Sequence, residues 1–341
     1  MTRIGILTSG GDCQGLNAAI RGTAKGLYEE FGDDVEIYGI KNGYKGLIFG
    51  EYDLMKTEDF SGILTLGGTI LGTSRQPYKK MRIIDENSVD KVKNMKENYT
   101  KMKLDALVVL GGNGTQKSAN LLREEGLNVI HLPKTIDNDI WGTDVTFGFH
   151  SAVEIATDVL DCIHTTATSH GRVFMVEIMG NKVGWLTLYA GIAGGADIIL
   201  LPEIPYDIDK IAEAINERHK KGKKFSILAI AEGVKSKEEA ALPKKDFKKL
   251  RASYNEPSIV YHLEKELSAR IDNEIRVCVP GHFQRGGAPC AYDRVLCTKL
   301  GATAARLIKE KNFGNMVGVV DGKTVPVPLE DVSGKLRTVP V

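Results

Sequence analysis

The sequence is short of the features that mark several protein classes. No uninterrupted apolar run approaches the roughly 18 residues that a membrane-spanning helix needs, so no membrane partner is expected. The opening segment, MTRIGILTSGGD, has no basic stretch leading into a long apolar core; a secretory leader is not expected and a cytoplasmic location is. There is no excess of one charge: 45 basic residues face 44 acidic ones, for a net charge of +1. A broad nucleic-acid surface needs surplus Lys and Arg to displace counterions, so no nucleic-acid partner is expected. Cysteine is sparse and odd in number (Cys13, Cys162, Cys278, Cys290, Cys297), without any C-x-x-C pair. That argues against a disulfide framework or a zinc site and for reduced, mostly packed thiols. No fixed-period repeat, low-complexity tract or linker composition stands out, so the chain is expected to cross between lobes more than once.

What is present is ordinary globular composition with a surplus of glycine. Apolar residues make up 42% and charged residues 26% of 341 positions, too apolar for a disordered chain and long enough for two lobes. The 37 glycines exceed the average usage of about 7% and cluster at the ends of apolar runs. There they let backbone approach a ligand closely. Short apolar runs predict strands at residues 4–8, 35–40, 106–110, 128–132, 173–178, 198–201, 225–231 and 275–279. Helical patterns lie between them, among them 16–30 and 149–163. Because these runs are continuously apolar instead of alternating, they suit strands covered on both faces. The expected class is α/β, two lobes each built on a mainly parallel sheet flanked by helices.

Four constellations carry candidate chemistry. Gly10-Gly11-Asp12 stands between a strand and a helix, where exposed N–H groups and a positive helix end suit a phosphate. Gly111-Gly112-Asn113-Gly114-Thr115 repeats that placement. Neither has the spacing of a dinucleotide fingerprint or a P-loop, since Gln116 stands where a P-loop needs glycine. Two such loops on neighbouring strands would open onto one crevice and suit a nucleotide or polyphosphate better than plain turns. Pro133-Lys134-Thr135-Ile136-Asp137-Asn138-Asp139, read as an extended segment, places Thr135, Asp137 and Asp139 on one side. Adjacent carboxylates repel unless a cation offsets them, which suits a base beside a magnesium-organising carboxylate. Finally Arg276 and Gly281-His282-Phe283-Gln284-Arg285-Gly286-Gly287, with Arg172 and Arg75, gather arginines able to hold a phosphate monoester. The basic runs 219–224 and 244–251 read as solvated helix ends or surface loops, with an anion site as the functional alternative.

The segments GILTSGGDCQGLNAAIR, GGTILGTSR, GGNGT, PKTIDND, VEIMG, AEG and GHFQRGG, in this order, resemble those of the 6-phosphofructokinases from residue 4 to about 295. The resemblance implies transfer of the γ-phosphoryl group of ATP to the C1 hydroxyl of fructose 6-phosphate, with Mg2+. It implies a donor-binding lobe at 1–148 with 284–334, a sugar-phosphate lobe at 149–283, and the site in the cleft between them. Asp137 matches the base, with Arg75 and Thr135 as its catalytic companions. Gly11, Arg75, Gly112, Asn113, Gly114 and Thr115 match the ATP site, and Asn113 and Asp139 the metal site. Thr135, Asp137, Met179, Gly180, Glu232, His282 and Arg285 match sugar-phosphate contacts. Arg172 and Arg276 match arginines that complete a neighbouring subunit's site, usually in a homotetramer.

Donor choice in this family turns on position 114, where glycine leaves room for ATP and aspartate favours pyrophosphate. Gly114 points to ATP, whereas Lys134 resembles the lysine of pyrophosphate users and of a mixed group. Sterics favour ATP, because a lysine only attracts while an aspartate excludes. Asn113 replaces a common aspartate, and Asn181 stands where many relatives carry arginine, with Lys182 beside it. Arg21 is kept from the effector site of bacterial relatives, but Lys25, His164 and Asp197 replace arginine, arginine and glutamate, so weak control by ADP and phosphoenolpyruvate is expected. The rival readings are a pyrophosphate-dependent phosphotransferase, a non-catalytic nucleotide or sugar-phosphate sensor, and a lipid or NAD kinase resting on GGNGT alone.

Overall fold

The computed structural model describes residues 1–84 and 88–341. It divides into two units, Met1–Ser151 with Arg285–Arg337, and Ala152–Gln284 with Thr338–Val341. Strands are numbered along the chain. The first unit holds β1 (Thr2–Ser9), β2 (Val35–Ile40), β3 (Tyr52–Met55), β4 (Ala106–Gly111), β5 (Val129–Pro133), β10 (Asn315–Val320) and β11 (Lys323–Pro328). They form one sheet in the order β11-β10-β5-β4-β1-β2-β3. Its five central strands are parallel, and β3 and β11 close the edges antiparallel. The residues explain this order: β4, ALVVLG, is buried along its whole length, as a strand covered on both faces must be. Leu7, Leu107, Val109 and Val129 from the sheet pack with Leu121 and Leu122 of the helix Asn113–Glu124. The register aligns Ser9 with Gly111 and Gly111 with Pro133, so the ends of β1, β4 and β5 finish level with one another.

The second unit is a four-stranded, all-parallel sheet in the order β7-β8-β6-β9, from β6 (Val173–Ile178), β7 (Ile198–Leu200), β8 (Ser226–Ala231) and β9 (Ile275–Cys278). Met175, Leu228 and Ile230 pack against Val260, Leu263 and Leu267 of the helix Ile259–Ser268. Two features depart from the sequence reading. The helix expected at 149–163 runs over Phe149–His170 and stops before Gly171, whose φ of 65° ends it. The strands β3, β10 and β11, of which β3 and β11 are the antiparallel edges, were not anticipated.

Candidate active site

In the first unit the chain goes from β1 to β2 on one side and from β4 to β5 on the other, so the strand order reverses between the neighbours β1 and β4 and opens a crevice at their C-terminal ends. Three segments meet at this edge. The first follows β1. Gly10 N donates to Ser74 O at 3.1 Å and Thr73 Oγ1 donates to Gly10 O at 2.8 Å, which fastens Arg75 beside the loop. A Cβ on Gly11 would stand 3.4 Å from Arg285 Nη1 and 3.7 Å from Arg75 Nη2, so the bare glycine lets both guanidiniums close on the main chain. Arg285 Nη1 also donates to Asp12 O at 3.1 Å, and Lys134 Nζ donates to Gly11 O. Three basic side chains around one loop suit an anion. Burial lowers the Lys134 pKa, with Cys13 acting against it and Arg285 with it. Burial likewise pushes the Cys13 thiol up to about 12, so it stays protonated and is no nucleophile.

The second segment follows β4. The helix Asn113–Glu124 begins at Gly112 with no side-chain cap and no acidic residue in its first turn, leaving its first N–H groups for an anion. Thr115 folds back over Gly111: a Cβ there would lie 2.3 Å from Thr115 Cγ2, so only glycine fits. Thr115 Oγ1 in turn donates to Ser9 O at 3.2 Å, joining this loop to the first. At Gly114 a Cβ would meet nothing within 4 Å; the space beside it is open.

The third segment, after β5, corrects an expectation. Residues 134–139 are not extended: Asn138 sits at φ 53°, in the left-handed region, and breaks the two-residue alternation that would have aligned Thr135, Asp137 and Asp139. The turn is built by hydrogen bonds instead. Asp137 N donates to Thr135 Oγ1 at 3.1 Å, Thr146 N donates to Asn138 Oδ1 at 2.9 Å, and Thr146 Oγ1 donates to Thr135 O at 2.8 Å. Thr135 and Asp139 are buried and Asp137 is half-buried. Asn113 Nδ2 donates to Asp139 O at 3.3 Å, while Asn113 Oδ1 is buried with no hydrogen-bond partner. Among the described residues no three His, Cys, Asp or Glu side chains cluster as a metal cage. A buried, unpartnered amide oxygen on Asn113, whose Nδ2 holds the Asp139 main chain, fits a hard cation that keeps waters and leans on a ligand's phosphates, not one held by protein alone.

The remaining candidates lie in the second unit. Glu232 Oε1 accepts from Gly180 N at 3.2 Å and Asn181 N at 2.6 Å, and Met179 N donates to Gln284 Oε1 at 3.2 Å. Glu232, Asn181, Glu177 and Arg251 line a hollow of about 450 Å³. His282 is exposed, as is Lys182. Arg172 and Arg276 come together on adjacent strand ends, both paired with Glu274. Thus Gly11, Arg75, Gly112, Asn113, Gly114, Thr115, Lys134, Thr135, Asp137, Asp139 and Arg285 belong to one unit, and Met179, Gly180, Glu232, His282, Arg172 and Arg276 to the other. Gln284, Asn138 and Arg251 were not singled out as site residues. Each lay inside a segment that stands out in the sequence, Gln284 in GHFQRGG, Asn138 in PKTIDND and Arg251 at the end of the basic run 244–251. The basic runs fall on the exposed end of the helix Ile208–Lys220 and on the helix Lys244–Ala252, which buries no residue.

This geometry matches known proteins along nearly the whole chain. The phosphofructokinase family model covers residues 3–308. The chain belongs to the phosphofructokinase family. It is 54% identical to an ATP-dependent 6-phosphofructokinase of Spirochaeta thermophila, covering 98% of this chain and 92% of that one. It is 48% identical to an enzyme of the same name from Propionibacterium freudenreichii, covering 99% and 95%. The phosphofructokinase structure from Saccharomyces cerevisiae superposes with a TM-score of 0.82 at 30% identity, over 97% of this chain and 45% of that chain. This phosphofructokinase thus spans just under half of the yeast chain. With the family settled, the lipid- or NAD-kinase reading falls away.

Proposed function

We propose that the protein transfers the γ-phosphoryl group of ATP to the C1 hydroxyl of fructose 6-phosphate, in the cytoplasm and with Mg2+. The observation that carries this is the meeting of Asp137's turn with two glycine loops and three basic side chains at the level ends of β1, β4 and β5. The N–H groups at the start of the helix Asn113–Glu124 and the Arg75 guanidinium hold the donor's phosphates and draw charge from the transferring group. Asp137 orients the C1 hydroxyl and takes its proton as the oxygen attacks phosphorus. Thr135 holds Asp137 by its main chain. Asp139 and Asn113 would hold Mg2+ together with phosphate oxygens and water; bound there, it supplies charge neutralisation. Met179, Gly180, Glu232, His282 and Arg285 contact the sugar phosphate, and Arg172 and Arg276 complete a neighbouring copy's site in a homotetramer.

ATP is the donor because the space at Gly114 is open and Lys134 is committed to the Gly11 carbonyl instead of reaching outward. Control by ADP is weak. Asp197 is already held by Arg218 at 2.6 Å and by Ile227 N at 2.9 Å, and His164 Nε2 lies 2.7 Å from Gly194 O. Steady-state kinetics of the purified protein with ATP and with pyrophosphate, each with and without ADP, test both statements. We expect turnover with ATP, a hyperbolic dependence on fructose 6-phosphate, and no activation by ADP. A large preference for pyrophosphate overturns the donor assignment; sigmoidal kinetics abolished by ADP overturns the weak control; no turnover at all favours a sensor.

A further inference from the structure

The turn that carries Asp137 and Asp139 is gripped from a distant part of the sequence. Near the end of the chain, Leu336 forms an isolated antiparallel bridge with Ile140. The next residue, Arg337, donates twice into the turn: its main-chain N–H to Asp139 O at 2.9 Å, and its Nη1 to Asn138 O at 3.2 Å. One residue thus holds two consecutive carbonyls, one by backbone and one by guanidinium. The segment that delivers it is itself anchored, because Leu329 and Val332 just before it are buried in the first unit's core.

These carbonyls matter because the turn has little regular support. The β5 ladder ends at Pro133, and Asn138 holds a left-handed backbone that L-residues adopt reluctantly. On its N-terminal side the turn is held by Thr135 and Thr146. On its C-terminal side Arg337 holds the peptide units of Asn138 and Asp139, with Asn113 Nδ2 as a second donor to Asp139 O. Fixing those two peptides limits how far Asp137 and Asp139 can rotate relative to each other.

We propose that Arg337 is a positioning residue for phosphoryl transfer: its fork on the Asn138 and Asp139 carbonyls keeps the Asp137 turn in its reactive arrangement. This rests on the reading of Asp137 as the base. Arg337 itself touches main chain in the turn, so its loss misplaces the turn without removing a substrate contact. Misplacement of a reacting group by about 1 Å costs up to about a hundredfold in rate; a partial loosening, with the backbone donor kept, is expected to cost about tenfold.

The test is steady-state kinetics and thermal unfolding of wild type, Arg337→Ala and Arg337→Lys, with ATP and fructose 6-phosphate. Turnover by the wild type establishes the reaction itself, and its absence is a failure of that reading alone. For Arg337→Ala we expect kcat about tenfold lower with both KM values within about twofold. Arg337→Lys, which still reaches a carbonyl with a charged donor, recovers most of the loss. Unchanged kcat in Arg337→Ala overturns the proposal. So does a loss that appears in KM instead of kcat, or one that lysine does not rescue. If the alanine variant does not fold, Arg337→Met, which keeps most of the apolar stem but has no donor, takes its place under the same criteria.

Discussion

His131 shows how burial at one residue sets a pH limit on the whole site. It lies on β5, fully buried, with Nε2 3.0 Å from Gly111 O, the first residue of the second glycine loop. Nδ1 is buried without a partner, which suits a neutral ring with its proton on Nε2. Burial lowers its pKa from 6.5 to about 3, and nearby Lys134 adds to the effect while the Gly111 bond opposes it. The folded-state pKa is therefore depressed. Stability is fully present above about 6.5, and as pH falls toward about 3 the unfolded chain takes up a proton that the folded one refuses. The slope from this group is about 1.4 kcal/mol per pH unit. Urea unfolding of wild type and His131→Gln at pH 7 and pH 5 checks it: the wild type should lose about 2 kcal/mol more than the variant over that interval. Equal losses would remove His131 as the acid-sensitive group. No feature of the sequence alone marks this histidine, because a lone histidine in an apolar run does not announce which carbonyl it will face.

At the scale of elements, Asp293 joins two helices by a buried carboxylate. It lies in the first turn of the helix Ala291–Lys309, fully buried, and accepts from Gly148 N at 3.1 Å, Ser151 N at 2.9 Å and Ser151 Oγ at 2.5 Å. It therefore caps the start of the helix Phe149–His170 from 142 residues away. The same Ser151 Oγ accepts from Cys290 N, so each helix start is satisfied by the other. Asp293→Ala leaves those buried donors without a partner and should cost about 3 kcal/mol by urea unfolding. Ser151→Ala should cost about 1 kcal/mol, because the Ser151 amide keeps its acceptor. A loss at Asp293 no larger than at a surface aspartate would contradict this account. Elements with long apolar runs were legible because a strand buried on both faces is written mostly in apolar residues, as β4 (ALVVLG) and β6 (VFMVEI, with Glu177 its one charge) are. The hairpin β10–β11 was not, although its Asp321-Gly322 turn, with φ of 50° and 75°, is a residue pair that such hairpins favour. The turn after β5 was misread as extended because nothing in PKTIDND marks Asn138 as left-handed except asparagine's general tolerance of that region.

For the whole molecule, the sequence motifs turn out to be sorted by place. The glycine loops, the PKTIDND turn, Arg75 and Arg285 share the first unit, while VEIMG, AEG and most of GHFQR share the second. The loops were legible as phosphate-binding because glycines at strand ends leave few other uses; the residues that brace them, Lys134 on Gly11 and Arg337 on the Asp137 turn, were not, since bracing depends on contacts over long sequence separations. The central claim is that Asp137 takes the proton from the sugar hydroxyl in a site whose other parts bind and align. Its most direct test compares kcat and KM of Asp137→Ser with those of wild type, using ATP and fructose 6-phosphate. The account predicts a kcat lower by about 10²–10⁴-fold with both KM values little changed. Near-normal turnover in that variant would contradict it.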